Sequence, residues 1–373
     1  MTVPQTVLLI SNHGDIRGGG EISLLGLLDG LRRSHLWRPV LVVPEEGVVA
    51  VKSRTAGVPT YVVPMPTLKR ITSALPRHIL QLSRLIQTTG AQLVHANGTR
   101  AMMFGGIAGR LARCPVVWHV RVMTSDGLLD RGLHLMATRV IVNSQAVRHR
   151  FSWGHAEKIH CIHNGIDTIH FAPRSPNSLL RPSLRLAEDD RVVVSVGRFV
   201  SYKGYEDLLQ AWRQVLPVMP RAKLVLAGEG ALRNDLEKLA ETLGIACHVR
   251  FIGWVEDVRP ILALSEMFVL PSHGEHFGRV VIEAMAMGKA VIATRAGGVP
   301  EIVVPHETGL LVPPADPARL AEAMLDLLSH PSRSIKFGEA GRRRVTAHFS
   351  LGRHVQAVEQ VYFDVRGVCS GRM

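Results

Sequence analysis

The chain has 373 residues, of which 46% are hydrophobic and 20% charged, a composition that excludes a disordered chain and allows two domains of ordinary size. No apolar run reaches the roughly 20 residues of a membrane-spanning helix. The first apolar run, TVLLIS, lacks the basic flank of a secretion signal, so we expect a cytoplasmic protein. The cysteines are far apart without a Cys-x-x-Cys pair, which predicts reduced structural thiols: Cys114, Cys161, Cys247 and Cys369.

The formal net charge of +13 is unevenly distributed along the chain. Residues 1–172 account for +10 of it and the remaining residues for +3. A basic surface of this size attracts nucleic acid, anionic membranes or anionic substrates. Charge alone does not choose among these partners.

Strand-like apolar runs alternate with segments of helical period along the first half. Two of the helical segments are Glu21–Arg33 and Arg100–Ala112. This alternation predicts a parallel sheet with helices on both faces. The strand-like runs are TVLLIS, PVLVVP, QLVHAN, PVVWHV, RVIVNS and KIHCIH.

A stretch rich in Pro, Ser and Arg follows, APRSPNSLLRPSLRLAEDD, and its lack of apolar period indicates a linker. Strand-like runs then begin again with RVVVSVG, AKLVLAG, HVRFIG, MFVLPS, KAVIAT and GLLV. We therefore predict an α/β fold of two doubly wound, Rossmann-like domains facing each other across a ligand cleft. The predicted bounds are 1–172, a linker at 173–190, and 191–350. We expect the helix 351–373 to pack back near the first domain.

The first strand ends in the glycine-rich loop SNHGDIRGGGE. In open parallel sheets, ligands bind beyond the carboxyl ends of the strands, where helices begin. Gly18, Gly19 and Gly20 would let backbone N–H groups approach an anion there. The loop is not the Gly-x-Gly-x-x-Gly fingerprint, and no acidic residue ends the second strand. A nicotinamide-dependent dehydrogenase is therefore disfavoured.

The corresponding place in the second half reads VGRFVSYKG. Arg198 follows the strand directly, and Lys203 stands at the start of the next helix with Gly204 after it. Two cations fixed beside a helix N-terminus suit a diphosphate. Taken in isolation, the two side chains could also be solvated surface cations.

The stretch SHGEHFGRVVIEAMAMG sets two glutamates eight residues apart. Glu275 lies in a loop, and Glu283 lies about two turns into a helix that ends at Gly288. The apolar stripe of that helix leaves Glu283 beside Arg279 on another side. A helical Glu in such a position is most simply a solvated residue.

The set of motifs resembles that of the retaining glycosyltransferases of the GT-B fold, the group 1 or family 4 enzymes. The resemblance covers nearly the whole chain, and the order and spacing of the motifs together are specific. The motifs are GGGE at 18–21, WHVR at 118–121, VNS at 142–144, HNGID at 163–167, VGRFVSYKG at 196–204, LAGEG at 226–230, FIGW at 251–254, EHFGRVVIE at 275–283 and GGVPEIV at 297–303.

The resemblance implies a role for each residue of the glutamate stretch. Glu275 would contact the donor sugar, and Glu283 would bind the ribose hydroxyls of the nucleotide, a diol that a carboxylate can bind through both oxygens. Phe277 and Gly278 would begin a helix whose N–H groups hold phosphate oxygens. The whole stretch would therefore bind one nucleotide-sugar.

The resemblance also assigns the cations and the residues of the first half. Arg198 and Lys203 would neutralise the diphosphate leaving group, whose charge grows in the transition state. The glycines Gly18–Gly20 would approach the donor phosphates or the acceptor, and His119 would lie over the reacting sugar. The sequence HVR at 119–121 stands where many relatives have a His followed by an acidic residue, and no role is assigned to Arg121. The catalytic candidates are Glu275, His119, Arg198 and Lys203.

No metal or other cofactor is expected, and the nucleoside-diphosphate sugar is a substrate. His273 and His276 have a spacing that two metal ligands could use, but no third ligand is near in sequence and there is no Asp-x-Asp. The resemblance implies that the acceptor attacks from the leaving-group face and that the departing phosphate takes its proton. Gly297 and Gly298 would allow close backbone approach, and Glu301 would cap a helix or touch the donor.

The expected function is transfer of a sugar from a nucleoside-diphosphate sugar to a hydroxyl acceptor, in the assembly of a surface polysaccharide or glycolipid. One alternative is another enzyme on the same fold, a nucleotide-sugar epimerase or a phosphorylase. The other is a polyanion-binding protein. Nucleic acid is disfavoured as a partner because only 5% of residues are aromatic and no recognition motif is present.

The segment Leu68–Gly90 is basic and amphipathic, with Pro76 in its first turn. Such a helix could lie on an anionic membrane and place the enzyme peripherally at the inner face, near a lipid-linked acceptor. Packing on the sheet with a solvated basic edge is the alternative. The basic residues concerned are Lys69, Arg70, Arg77, His78 and Arg84, which lie among Leu75, Ile79, Leu80, Leu82, Leu85 and Ile86.

Overall fold

The computed structural model of the chain describes residues 4–66 and 75–370 and forms two compact units. The first unit contains the described residues up to Gly165 and returns at Leu351, whereas the second runs from Ile166 to Ser350. The boundary therefore lies at Gly165 rather than at residue 172, and the stretch 173–190 belongs to the second unit.

The first unit is built on a seven-stranded parallel sheet in the order β3-β2-β1-β4-β5-β6-β7. Its strands are mostly continuous runs of Val, Ile and Leu, as expected for strands that helices cover on both faces. The chain direction across the sheet reverses between β1 and β4, which makes this the switch point where ligand sites form. The strands are β1 (Gln5–Ile10), β2 (Trp37–Val43), β3 (Thr60–Val62), β4 (Leu93–Asn97), β5 (Val116–Val120), β6 (Arg139–Val142) and β7 (Ile159–Cys161).

The described helices of this unit lie in two layers. One layer, with Leu24 and Leu27 in its core, contains α1 and α2, and the other, with Leu82 and Phe104, contains α3, α4 and α5. The helices up to residue 165 are α1 (Gly19–Ser34), α2 (Val48–Thr55), α3 (Leu75–Thr88), α4 (Thr99–Leu111), α5 (Leu128–Met136) and α6 (Gln145–Arg148), with 3₁₀ turns at His149–Phe151 and Ala156–Lys158.

The second unit has a six-stranded parallel sheet in the order β10-β9-β8-β11-β12-β13. All six strand-like runs predicted for this half form strands of this sheet. Strand β8 lies between β9 and β11, so the loops that follow β8 and β11 leave the same edge side by side. The strands are β8 (Arg191–Val196), β9 (Ala222–Ala227), β10 (Val249–Gly253), β11 (Met267–Leu270), β12 (Ala290–Thr294) and β13 (Gly309–Val312).

Helices cover both faces of the second sheet, around one core with Trp212 and Met324 and another with Phe277 and Met285. They are α7 (Leu180–Ser183), α8 (Tyr205–Val215), α9 (Arg233–Thr242), α10 (Arg259–Leu264), α11 (Arg279–Ala286), α12 (Val299–Ile302), α13 (Pro317–Ser329) and α14 (Pro331–His348), with 3₁₀ turns at Ser201–Lys203 and Ala246–His248.

The last helix, α15 (Leu351–Ser370), belongs to the first unit and packs against α1. Val355, Val358 and Tyr362 are buried in the layer that α1 and α2 form. Tyr362 meets Trp37 edge to face, with ring centroids 5.1 Å apart. An aromatic pair in this arrangement stabilises the fold by more than the burial of its apolar area alone.

Helix α3 covers part of the predicted basic segment. It buries Ile79, Leu82 and Ile86 and leaves Arg77 and Arg84 exposed, so one face packs in the unit and the other is basic. The predicted residues Lys69 and Arg70 lie outside the described residues. No helix in the described part of the chain has both the length and the apolar character needed to cross a bilayer.

Candidate active site

An ion pair joins two of the predicted site residues in the second unit. Lys203 Nζ lies 2.5 Å from Glu275 Oε2, and each side chain is 12% exposed. Lys203 ends the 3₁₀ turn after β8, and Glu275 lies in the loop after β11. Because β8 and β11 are neighbours, residues 72 positions apart meet at the carboxyl edge of the sheet.

Two glycines allow the loops around this pair to approach each other closely. Gly204 has φ 67°, and a Cβ there would lie 2.1 Å from the carbonyl oxygen of Pro271. Gly297 has φ 55°, and a Cβ there would lie 1.7 Å from the carbonyl oxygen of Glu275. The Gly298 N–H donates to that same oxygen over 2.9 Å. The GG-x-P-E turn therefore supports the backbone of Glu275.

Arg198 lies on the exposed side of the same edge. Its Nη2 donates to the Tyr202 hydroxyl over 2.7 Å, and the Tyr202 ring lies 6.4 Å from the ring of His276. Burial lowers the pKa of His276, as do the charges of Lys203 and Arg198, whereas Glu275 raises it. Both predicted cations are therefore close enough to act electrostatically on one imidazole.

His273 pairs with a residue that the sequence analysis did not identify. Its Nε2 lies 2.5 Å from Asp207 Oδ2, and Asp207 is on the first turn of α8. Tyr202 lies inside the motif at 196–204, but no role was assigned to it, and Asp207 lies outside the motifs. Their proximity to the site follows only from the packing of the loop after β11 on the turn after β8.

Glu283 is buried, which corrects the expectation of a solvated side chain. The residue is 6% exposed, and Arg279 Nε lies 2.9 Å from its Oε1. Helix α11 begins at Arg279, so Glu283 lies about one turn into it and not two. Burial raises the pKa of Glu283, and Arg279 opposes that rise. The ion pair explains how a carboxylate can lie on a covered side of the helix.

Phe277 and Gly278 stand just before α11 as predicted, but their contributions differ. Gly278 is the N-cap residue with φ 102°, a conformation that favours glycine. The Phe277 side chain is 2% exposed and meets Phe349 at a centroid distance of 6.1 Å. Phe277 therefore anchors the start of the helix in the core, and its side chain is not presented to solvent.

In the first unit, His119 is fully buried in β5. Its Nδ1 lies 3.2 Å from His95 Nε2 and 3.3 Å from Arg121 Nη2. Arg121, to which the sequence analysis assigned no role, is 9% exposed at the end of β5. Its guanidinium donates to the side-chain oxygens of Asn97, over 2.7 Å, and of Asn164.

The glycine-rich loop after β1 leads into α1 with Gly18 as its N-cap residue. Glu21, in the first turn, is 6% exposed. Burial raises its pKa, although backbone hydrogen bonds from Glu21, Arg17 and Gly18 and the charge of Arg121 act the other way. The first turn of α1 therefore contains a buried carboxyl group, that of Glu21, beside the glycine-rich loop.

The structure thus groups the predicted residues into two sets, one in each unit. Lys203 and Glu275 touch each other, and Arg198 lies at the same edge of the second sheet. Glu301 lies on α12, where its backbone oxygen accepts from Arg344 Nη2 over 2.9 Å. The residues of the other set, in the first unit, are His119, Gly18, Gly19 and Gly20.

Two family models together match most of the chain. The model described as Glycosyltransferase Family 4 matches residues 17–170, and the model described as Glycosyl transferases group 1 matches residues 177–344. The division between the two matched regions falls close to the boundary between the structural units.

Individual relatives and a solved structure are also similar. A lipopolysaccharide core biosynthesis glycosyltransferase, LpsE of Rhizobium meliloti, is 36% identical over 50% of this chain and 52% of its own. The N-acetyl-alpha-D-glucosaminyl L-malate synthase of Bacillus anthracis is 30% identical over 56% of this chain and 54% of its own. The chain thus spans about half the length of these relatives. HepE of Anabaena in complex with UDP and glucose superposes with a TM-score of 0.85 at 25% identity, covering 96% of this chain and 100% of that one.

Proposed function

Since the chain belongs to the group 1, or family 4, glycosyltransferases of the GT-B fold, we propose that it transfers a sugar from a nucleoside-diphosphate sugar to a hydroxyl acceptor. The observation that carries this proposal is the Lys203–Glu275 ion pair at the carboxyl edge of the second sheet. It provides a cation for a diphosphate beside a carboxylate for sugar hydroxyls, which are the two chemical features of the donor.

In this proposal Lys203 and Glu275 each bind a different part of the donor. Lys203 and Arg198 bind the diphosphate, whose negative charge increases as the bond to the sugar breaks. Glu275 accepts hydrogen bonds from sugar hydroxyls, and Glu283 accepts them from the ribose. With two cations for the leaving group, we expect the reaction to need no metal ion.

We further propose that the sugar retains its anomeric configuration. No pair of carboxylates suited to a double displacement was apparent in the sequence, so the acceptor would attack from the face that the diphosphate leaves. The departing phosphate would then take the proton of the acceptor hydroxyl. His119 would contact the donor sugar from the first unit.

The names of similar proteins support a nucleotide-sugar donor and a surface-glycan product. HepE was solved with UDP and glucose, and LpsE is named for lipopolysaccharide core biosynthesis. A Corynebacterium glutamicum protein that is 34% identical over 51% of its length is named as a GDP-mannose-dependent mannosyltransferase acting on a phosphatidylinositol mannoside. We therefore propose a polysaccharide or glycolipid acceptor.

A glycolipid acceptor would place the enzyme at a membrane surface, and we propose that α3 contributes to docking there. Arg77 and Arg84 are exposed on this helix, and Leu80 between them is 49% exposed. Basic and apolar side chains on one exposed face suit an anionic lipid surface.

The test is a panel of UDP-, GDP- and ADP-sugars scored first by thermal shift, because a ligand that binds only the folded state raises its stability. The stabilising donor is then incubated with and without a hydroxyl acceptor, and released nucleotide and glycosylated product are measured. Acceptor-dependent transfer supports the proposal. Conversion of the donor sugar without any acceptor would instead identify an epimerase. Formation of sugar 1-phosphate that depends on added inorganic phosphate would identify a phosphorylase.

A further inference from the structure

Two side-chain pairs join the loop after β11 to the segment that follows β8. The inner pair is Lys203 with Glu275. The outer pair is His273 with Asp207, in which His273 Nε2 lies 2.5 Å from Asp207 Oδ2. The two pairs therefore fasten the same two segments of the second unit at two points.

Between the two pairs, the backbones of these segments touch directly. Gly204 leaves no room for a side chain, because a Cβ there would lie 2.1 Å from the carbonyl oxygen of Pro271 and 3.2 Å from His273 Nε2. The His273 N–H also donates to the carbonyl oxygen of Tyr202 over 2.8 Å. Glu275 follows His273 by two positions, so the anchoring of His273 determines where the Glu275 side chain begins.

The hydrogen bond of the outer pair has one possible direction. An ionised carboxylate only accepts, so His273 Nε2 has the hydrogen whether or not the ring is charged. The His273 side chain is 41% exposed and that of Asp207 is 18% exposed. A pair as exposed as this one contributes little to the stability of a folded protein. Its position beside the inner pair therefore calls for a role other than stability.

The donor would affect the two pairs differently. In the proposed function the diphosphate binds Lys203 and the sugar binds Glu275, so both members of the inner pair acquire new partners. The same proposal gives the donor no contact with His273 or Asp207, so the outer pair stays intact. With the donor bound, the outer pair is then the side-chain pair that still fastens the loop.

We propose that His273 and Asp207 are positioning residues, whose hydrogen bond holds the loop after β11 in place while the donor weakens the inner pair, so that Glu275 stays directed at the donor sugar. This inference rests on the proposed function, in which Glu275 binds sugar hydroxyls. His273 and Asp207 act only through Glu275. A displacement of a reacting group by about 1 Å can cost about 10²-fold in rate, so such a hydrogen bond matters more to catalysis than to folding.

Two substitutions of Asp207 separate its hydrogen bond from its charge. Asp207→Ala removes both, whereas Asp207→Asn removes the charge and keeps an oxygen that can accept from His273 Nε2. A difference between the two variants therefore reports the hydrogen bond. Glu206→Ala is the matched control, because it removes an exposed carboxylate from the same first turn of α8.

The first experiment needs no substrate and measures urea midpoints of the full-length protein. Either pair alone keeps the two segments together, so Asp207→Ala and Glu275→Gln should each lower the midpoint only slightly. The double variant should lower it by more than the sum of the two, whereas Glu206→Ala with Glu275→Gln should be additive. An additive loss in Asp207→Ala with Glu275→Gln would overturn the proposal, because the two pairs would not then support each other.

The second experiment measures transfer with the donor that the thermal-shift panel selects. We expect Asp207→Ala to lower kcat about tenfold, and Asp207→Asn and Glu206→Ala to keep most of the activity. Asp207→Ala and Asp207→Asn should bind the nucleoside diphosphate with equal affinity, which a general loosening of the fold would not allow. In a Glu275→Gln background, Asp207→Ala should cause no further loss of kcat. Equal losses of kcat in the Ala and Asn variants, or an undiminished loss in that background, would contradict the positioning role.

The two experiments separate this inference from the proposed function. If the wild-type protein transfers no sugar from any donor, the proposed function fails and the positioning role fails with it. Normal transfer by the wild type together with additive urea midpoints would overturn the positioning role alone.

Discussion

Lys203 and Glu275 neutralise each other across 2.5 Å, so each residue modulates the charge that the other offers to a ligand. Binding of a nucleotide-sugar must weaken this ion pair, because Lys203 is proposed to bind phosphate and Glu275 to bind sugar. Removing the charge of Glu275 should therefore have opposite effects on binding of the nucleotide and on transfer of the sugar.

We predict that Glu275→Gln folds normally but loses transfer by about 10²–10³-fold, the effect of removing one preorganised electrostatic group. Nucleoside diphosphate should bind it more tightly than the wild type, since Lys203 is released from its partner. Steady-state kinetics and calorimetric titration measure the two effects. Glu266→Gln, which breaks the Arg191–Glu266 pair in the same unit, is the control. Wild-type turnover in Glu275→Gln would show that Glu275 does not act on the sugar.

We predict that Lys203→Ala and Arg198→Ala each cost about 2–4 kcal/mol in transition-state stabilisation, calculated from kcat/KM. Lys203→Ala also leaves the Glu275 carboxylate without its partner, so its effect should be the larger of the two. Arg213→Ala, an exposed arginine on α8, is the control. Unchanged kinetics in both site variants would rule out a diphosphate site here.

We predict that Glu283 discriminates between ribose and deoxyribose. The wild type should bind the ribo form of its nucleoside diphosphate at least tenfold more tightly than the 2′-deoxy form, and Glu283→Gln should lose most of that preference. Competition binding with the two nucleotides measures it. Because the change also affects Arg279, a urea titration must accompany it, and Arg279→Gln is the control for the lost ion pair. A preference that survives in Glu283→Gln would place the ribose elsewhere.

We predict that stability falls as the pH decreases from about 6.5. The folded-state pKa of His95 is lowered to about 3 and that of His13 to about 4, with burial as the main cause in both. The unfolded chain therefore binds protons first, and stability present above pH 6.5 is lost on acidification. The fully buried His95 contributes about 2 kcal/mol of loss by pH 5, and the half-buried His13 contributes less because solvent screens its charge.

Urea midpoints at pH 7.5, 6.5, 5.5 and 5.0 measure this loss. His13→Gln, which removes one of these groups at a half-buried position, should have a shallower pH dependence than the wild type. A midpoint that stays constant down to pH 5 would contradict the prediction.

We predict reversible, salt-sensitive binding to anionic vesicles through α3. Each basic residue near such a surface contributes about 1 kcal/mol, so Arg77→Glu with Arg84→Glu should release the protein. Arg213→Glu with Arg319→Glu, at exposed positions of the second unit, is the charge-matched control. Co-sedimentation at increasing anionic lipid and at two salt concentrations measures the binding. Protein that stays in the supernatant at every composition would favour a soluble acceptor.

Much of the fold follows from local pattern. Every strand-like run that was identified forms a strand, because strands covered on both faces need continuous apolar residues. The element missed in the first sheet is β3, whose three residues Thr60–Val62 give too short a signal.

The site was predictable as a list of residues but not as a set of contacts. The motifs pointed to Lys203 and Glu275 separately, whereas their pairing depends on the adjacency of β8 and β11. The burial of Glu283 was not predicted, because the ion pair with Arg279 that offsets part of its cost is a contact of the folded helix. Asp207 stands in no motif, and only the packing of the loop after β11 brings His273 to it.

The order of the chain also sets an order of folding. The second unit is continuous in sequence and can complete its core as soon as Ser350 has been synthesised. The first unit must wait for α15, so Trp37 and the side of α1 at Gly26 and Gly30, which α15 covers, remain uncovered while the residues from Ile166 to Ser350 leave the ribosome. During synthesis, the half that begins first is therefore the half that finishes last, and for that interval its uncovered face is where a chaperone would bind.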